Sequence, residues 1–397
     1  MNYENWISYR YLISSKGGFL SFLNFVSIAG VAIGVAALII VTGIMTGFGN
    51  NLRDKIIGTT PHIVVEKEIG VKDFDKIAGQ LKGIPGVVGV SPYVQGNVFI
   101  EDSGQALGLV VRGIDPATEG SVTKIKEYLL KGKVDDLTGD GIVIGKELAR
   151  YFGYSLGDTV TLIAPSSGLA GQSWRYQLKI VGIFSSGMVD YDMNLVLLNI
   201  RKAQEIFNLP ANLVSGVGVK VSDPYKVSDV KKNIHGLLGF GFLVKTWIDI
   251  NRNLFEALYL EKWGLFLILT LMVLIASFNI ITTLIVTVTS KVHDIGILKS
   301  IGVPSSSIRW LFTKLGMYIG SMGTFWGVVG GVASTYILRT YVKVPAEIYS
   351  IDHVPVDLQL TDMLIIVASA MAITFAATIY PSMRAAALQP VEALRYE

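Results

Sequence analysis

GGFLSFLNFVSIAGVAIGVAALIIVTGIMTGFGNNL, running from Gly17 to Leu52, contains no charged side chain, and three more such windows follow it. They are Trp263 to Ser290, Leu315 to Leu338 and Met363 to Met383. Each window reaches or exceeds the roughly 20 apolar residues that carry a helix across a bilayer. Hydrocarbon offers no partner to an open backbone N–H or C=O, so windows of this length are expected to span as helices. Between the first and second windows lie about 210 residues of ordinary soluble sequence, enough for a domain with its own core. The expected fold is an α-helical membrane protein with four transmembrane helices and a large extracytoplasmic domain.

Composition agrees: 51% of the 397 residues are hydrophobic and 16% charged, with a mean hydropathy of +0.51. The net charge of +3 is too small and too evenly spread to attract nucleic acid. Its placement says more. Arg10 and Lys16 outweigh Glu4 before the first window, and Lys291, Lys299 and Arg309 outweigh Asp294 between the second and third. Between the third and fourth, Lys343 faces Glu347, Asp352, Asp357 and Asp362, and the tail carries Arg384 and Arg395. By the positive-inside rule both termini and the loop 291–309 are cytoplasmic, so the large domain is outside. The expected order is a cytoplasmic amphipathic segment 1–18, a span 19–46, the outer domain 47–260, a span 261–290 and the inner loop 291–309. A span 310–341, an outer loop 342–361, a span 362–381 and a cytoplasmic tail 382–397 complete it. The first window is longer than a signal-peptide core and lacks a convincing cleavage site, so it is expected to be retained. With no cysteine, the outer domain must fold without disulfides, and a thiolate-zinc or thiol redox site is excluded.

The outer domain reads as mixed α and β. Period-two or β-rich runs are expected as strands at His62–Glu66, Val87–Ile100, Leu107–Ile114, Thr159–Ala164, Gln177–Phe184, Asn194–Leu198 and Gly216–Val221. Helical spacing marks Asp73–Leu81, Lys146–Phe152, Arg201–Phe207 and Pro224–Ile234, with Asp73 and Asp223 as caps. This order suggests an α/β subdomain built from both ends of the region, with a β-rich insertion at about residues 140–200.

Chemical motifs are scarce. Gly153-Tyr154-Ser155-Leu156-Gly157 has the letters of a nucleophile elbow, but the elbow needs a strand before the serine and a helix after it, and the order here is reversed. Asp190-Tyr191-Asp192-Met193-Asn194 opens like a calcium loop, yet Leu195 replaces the sixth-position glycine and Arg201 the twelfth-position glutamate. His62, His235, His293 and His353 are scattered without a helical partner, and no Walker A phosphate loop occurs. No catalytic or metal site is expected.

The spans carry more. Small residues recur four apart as Gly30/Gly34 and Gly43/Gly47, and again as Gly316/Gly320, Gly323/Gly327 and Gly327/Gly331. Such ridges let helix backbones approach closely, either inside one chain or between two. Ser277, Asn279, Thr282, Thr283 and Thr287 can hydrogen-bond a neighbouring helix. The absence of charges deep in the spans disfavours an ion or proton path. Upstream of the second span, Trp247 to Lys262 is amphipathic and is expected to join it as one long helix. On the inner side, Lys291 to Gly302 forms a short amphipathic helix stopped by Gly302 and Pro304.

These segments bear a resemblance. Asn253-Leu254-Phe255-Glu256-Ala257-Leu258 with Glu261-Lys262, then Ala276 to Leu284 and Asp294 to Gly302, closely resemble the LolC/LolE lipoprotein-releasing permeases. So do Met45-Thr46-Gly47-Phe48 with Leu52 and Pro61-His62, and Ser186 to Asp192. The tail Arg384-Ala385-Ala386 to Arg395 is similar to the wider class that includes MacB and FtsX. The resemblance covers the whole chain and implies a MacB-like periplasmic domain on a permease in the inner membrane.

It also implies a permease dimer, homo- or heteromeric, docked on a LolD-like ATPase dimer that binds ATP and Mg, with no cofactor in this chain. Triacylated lipoproteins would be extracted from membrane lipid and passed to a periplasmic LolA-like chaperone. In this reading Asp294, Ile295, Ile297, Leu298, Lys299 and Ile301 form the coupling helix that meets the ATPase. Met45, Phe48, Leu52, Phe255, Leu258 and Leu265 are expected to line an acyl-chain cleft. The chaperone-binding hook corresponds to a loop with Pro165, Gly168, Leu169, Gln172 and Trp174, shorter here than the family pattern. Alternatives are a MacB- or FtsX-type permease for another amphipathic substrate, or a membrane-anchored scaffold or enzyme.

Overall fold

The computed structural model describes residues 6–8, 10, 18–102, 104–164, 174–342 and 354–389. In chain order the elements are α1 (Gly18–Thr59), β1 (Ile63–Lys72), α2 (Phe74–Lys82), β2 (Val87–Asp102), β3 (Gln105–Ile114), β4 (Leu129–Gly132), β5 (Gly141–Gly145), α3 (Lys146–Phe152), β6 (Thr159–Ala164) and β7 (Trp174–Phe184). They continue with α4 (Val189–Asn194), β8 (Leu195–Asn199), α5 (Ile200–Ile206), β9 (Leu213–Val221), α6 (Val227–Leu238), β10 (Leu243–Thr246) and α7 (Trp247–Ile250). The helices α8 (Arg252–Ser290), α9 (Val292–Ser300), α10 (Ser305–Tyr341) and α11 (Leu360–Ala387) follow. Asn50–Glu256 forms an α/β unit, and the chain on either side of it forms a helical unit.

The α/β unit is built on one sheet with strand order β10-β1-β9-β2-β3-β8-β5-β7-β4, and β6 bridges β2 and β7. Most neighbours are antiparallel, while β3 runs parallel to β8 and β5 parallel to β7. The strands of the expected insertion and those on either side of it belong to this one sheet, and both sets pair with β2. Its first half pairs with β9 through Val87–Tyr93, and its second half with β6 through Phe99–Glu101. A strand this long continues the hydrogen-bonded ladder from one set into the other. Alternating residues on β5 are buried on both faces. Ile142 and Ile144 join the large core, and Val143 joins a smaller one with Ile114, Phe184 and Leu197.

His62 closes one end of this sheet. Its Nδ1 accepts the Val221 N–H at 3.2 Å and its carbonyl accepts the Trp247 N–H at 2.9 Å. Burial, and next the Lys220 charge, push its pKa down from 6.5 to about 4. The ring is therefore neutral at neutral pH, which leaves Nδ1 free to accept.

Of the two expected caps, Asp73 holds the right position without capping and Asp223 is displaced. Asp73 occupies the N-cap place of α2 but lies in the left-handed region at φ 51° and makes no side-chain cap. Asp223 accepts the Tyr225 N–H at 3.0 Å in a local turn, and α6 begins only at Val227. A third correction matters more: Trp247 to Lys262 is two helices, not one. Thr246 and Asp249 cap α7 reciprocally, a capping box. Asn251 then ends it, with its Nδ2 donating to the Trp247 carbonyl at 2.8 Å. Trp247 is anchored in the α/β core, with Nε1 donating to the Pro224 carbonyl at 2.8 Å, so the long helix starts at Arg252.

In the helical unit the glycine ridges are used within the chain. A Cβ on Gly323 would lie 2.7 Å from the Val31 Cβ and 2.9 Å from the Ile28 carbonyl oxygen, and one on Gly327 would meet Val35 and the Ala32 carbonyl in the same way. Gly331 receives Ile39. One turn-repeat of α10 thus seats the β-branched side of α1. The same helix offers Gly316 and Gly320 to Thr378 and Thr374 of α11. Gly43 and Gly47 on α1 receive Leu358 and Pro355, and the Asp357 N–H donates to the Gly43 carbonyl at 3.0 Å. Between α1 and α8, Gly30 faces Asn279 and the Ser27 hydroxyl meets Thr283 Oγ1 at 2.6 Å. Ser277 and Thr287 instead bond back to carbonyls of their own helix.

Among the described residues three helices are long and apolar enough to cross a membrane, over Leu20–Thr59, Arg252–Ser290 and Leu360–Ala387. The helix α10 has the length, but its many Gly, Ser, Thr and Tyr residues dilute its apolar content. It owes its place to close packing through small residues.

Candidate functional site

The short helix α9 joins α8 to α10. Lys291 stands at its N-cap, and Asp294 in its first turn pairs with Lys291 at 3.0 Å, where a carboxylate suits the helix dipole. Its far end is a Schellman turn: the Gly302 N–H donates to the Lys299 carbonyl at 3.0 Å and the Val303 N–H to the Leu298 carbonyl at 3.1 Å. Gly302 sits at φ +98°, the left-handed geometry this stop requires. Pro304 then opens α10.

The inward side of α9 is well defined. Ile295 and Gly296 are buried, and Leu298 packs against the helical core that includes Ile308, Leu311 and Leu315. Lys299 also turns inward, with Nζ donating to the carbonyls of Ala386 and Leu388 at 2.6 Å each. Outward stand Ile297, 41% exposed, and Ile301, 75% exposed, beside His293 and Ser300. Of the six residues expected to meet the ATPase, only Ile297 and Ile301 present free apolar surface; the others are paired or packed within the chain.

The six expected cleft residues divide between the two units. Met45, Phe48, Leu258 and Leu265 belong to the helical unit, and Leu52 and Phe255 to the α/β unit; all are half-buried. The Phe255 ring meets Trp247 edge-on at 5.3 Å and packs against the sheet core. From Tyr259 to Phe278, α8 instead carries an apolar face with almost none of the described residues against it. Tyr259, Trp263 and Phe266 form an edge-to-face ladder, with centroids 6.2 and 5.7 Å apart, and Leu267, Leu271 and Ile275 are exposed beside them. A face this large belongs against lipid or another protein. An apolar recess lined by Gly34, Val35, Val273, Ser277, Ile280 and Ile373 lies in the same unit, and none of the six expected residues lines it.

Of the expected hook, Pro165, Gly168, Leu169 and Gln172 lie outside the described residues. Trp174 is described, exposed at the start of β7 and paired in the ladder with Ala164, and its neighbour Arg175 bonds Glu101 at 2.8 Å.

Sequence reasoning quoted Ser186 to Asp192 without assigning it a physical role. Asp192 is fully buried and accepts the Ser186 N–H and Oγ–H at 2.7 Å each and the Ser185 hydroxyl at 3.0 Å. Lys55, on α1, donates to the Gly187 carbonyl of the same turn. The carboxylate folds this turn around itself, and α1 holds it from outside; the spacing of two serines and one aspartate was the available signal. Among the described residues no group of three or more His, Cys, Asp or Glu is placed to hold a metal ion.

Residues 24–237 match the MacB-like periplasmic core domain family, and residues 266–390 match the FtsX-like permease C-terminal family. The lipoprotein-releasing system transmembrane protein LolC of Neisseria meningitidis serogroup B is 33% identical, with 99% of each chain covered. LolC of Xylella fastidiosa is 31% identical over 98% of each, and LolE of Haemophilus influenzae 25% over 99% of each. Among solved structures, the periplasmic region of MacB from Actinobacillus actinomycetemcomitans aligns at 15% identity and a TM-score of 0.34, covering 51% of this chain and 95% of that one.

Proposed function

Because the chain belongs to the LolC/LolE family of lipoprotein-releasing permeases, we propose that it extracts triacylated lipoproteins from the outer leaflet of the inner membrane by force delivered from a separate ATPase. Family membership along the whole chain, in both the periplasmic and the permease parts, carries this reading. The chain is a membrane permease with a MacB-like periplasmic domain; ATP and Mg belong to a LolD-like partner. Both termini and α9 face the cytoplasm, and α10 is the fourth span, admitted by its close packing on α1 and α11 rather than by its own hydropathy.

The task explains the parts. At about 0.8 kcal/mol per buried CH₂, three acyl chains represent on the order of 30 kcal/mol of gross transfer cost into water. Both an energy source and an apolar receiver, a LolA-like chaperone, are therefore needed. A second permease, of the same or a paralogous chain, covers the bare face of α8. ATPase closure pushes α9, and α1 and α8 carry the displacement outward, since both helices run from the helical unit into the sequence of the α/β unit. Lipid-bearing cargo rests on the outer stretches of α1 and α8 around Met45, Phe48, Leu258 and Leu265, where Met and aromatic surface adapts to varied cargo.

A photoreactive residue at Phe48 or Leu258 tests this reading. It should capture lipoprotein before ATP is added and lose the adduct once ATP and chaperone are supplied. Crosslinks confined to the protein's own helices in every nucleotide state would remove these residues from the substrate path.

A further inference from the structure

The residue of α9 that sequence places toward the ATPase and geometry turns away from it is Lys299. Its Nζ reaches across 87 and 89 residues of sequence to the carbonyls of Ala386 and Leu388, at 2.6 Å each. Those carbonyls lie at the end of α11, which stops at Ala387. The last four carbonyls of a helix have no donor within it and carry the negative end of the helix dipole. An ammonium group supplies both the missing donors and the opposite charge. The joint is packed as well as bonded: Ile295 and Ala385 are buried in the same core, and Leu388 packs against it.

We propose that Lys299 is a positioning residue that clamps the coupling helix to the cytoplasmic end of α11, so that a push on α9 enters α11 directly. Covalent continuity links α9 only to α8 and α10. The clamp adds the helix that covalent continuity leaves out. At its other end α11 is preceded by Pro355–Leu358, the segment gripped by Gly43 and Gly47 of α1 and bonded through Asp357 to the Gly43 carbonyl. Displacement entering α11 at Lys299 is thus handed to α1.

The inference rests on the reading of α9 as the ATPase dock, and its test separates the two. In the complete complex of permease and ATPase in nanodiscs, Lys299→Met should retain the ATPase and continue to hydrolyse ATP. Lipoprotein released per ATP should fall about tenfold, the factor expected on losing a charged hydrogen-bonded contact, and Lys299→Arg should restore most of it. Independently of transport, nitroxide labels at Ser300 and Ala387, both exposed, should give a narrow distance distribution in the native protein and in Lys299→Arg and a broad one in Lys299→Met. An unchanged distance distribution with an unchanged release ratio would overturn the clamp. Loss of the ATPase on Lys299→Met would also overturn it, by placing Lys299 in the dock. If α9 is not the dock, substitution of Ile301 leaves the ATPase bound, and the label distances still decide the clamp on their own.

Discussion

Replacing Ile301 and Ile297 by Asp together should strip the ATPase from the complex and abolish ATP-driven release, while the permease stays folded. Both side chains project outward from a helix whose opposite face is pinned by Ile295, Leu298 and Lys299. Burying two isoleucines in a partner's groove contributes roughly 3 to 6 kcal/mol, and a carboxylate forced into the same groove adds a desolvation cost. At about 1.4 kcal/mol per decade the affinity should fall at least a hundredfold. Substituting Leu298 would be less informative, because that side chain also packs on the core. Retention of the ATPase on purification, with thermal unfolding as the control for folding, reads the result. Full retention of the ATPase would contradict the assignment of this face.

Gly327→Leu should destabilise the helical unit, and Gly330→Leu, on the same helix, should not. A Cβ at Gly327 would lie 2.7 Å from the Val35 Cβ and 2.8 Å from the Ala32 carbonyl oxygen, whereas one at Gly330 meets nothing within 4 Å. Backbone cannot yield as a flexible side chain can, so α10 must retreat from α1 and open the Gly323 and Gly331 seats as well. Overpacking a single tight site costs about 1 to 3 kcal/mol, and lipid offers no hydrophobic drive to close the gap again. Thermal unfolding of the two variants in nanodiscs separates them: a markedly lower midpoint for Gly327→Leu and a native one for Gly330→Leu. Equal midpoints would mean that the α1–α10 seam does not hold the unit together.

Much of this architecture was legible in the sequence where one physical signal dominates. Missing charge marked the apolar helices, and β-rich runs marked β2, β3 and β6, of which β6 alternates cleanly in burial. The strand β5 escaped because Gly141–Gly145 is buried on both faces and shows no alternation; β4 and β10 escaped because they are short. The break at Asn251 was hidden by a helical pattern running through it, and only the capping box at Thr246 and Asp249 betrays the boundary. The glycine ridges announced close packing without naming the partner. The structure assigns most of them to the chain's own helices, with Gly323, Gly327 and Gly331 on α1 and Gly316 and Gly320 on α11, so they are not free to form a dimer seam. A short helix between Lys291 and Gly302 was legible along the chain, but which of its residues face outward depended on where α11 ends, and no local pattern in Asp294 to Ile301 encodes that.

The most direct measurement is transfer of a labelled triacylated lipoprotein out of proteoliposomes holding this permease with its partner ATPase. With ATP and a soluble LolA-like chaperone present, lipoprotein should leave the membrane and appear in the soluble fraction bound to the chaperone, with neither ATP nor chaperone alone sufficing. Hydrolysis that proceeds normally while the lipoprotein stays in the membrane, with chaperone in excess, would contradict the account.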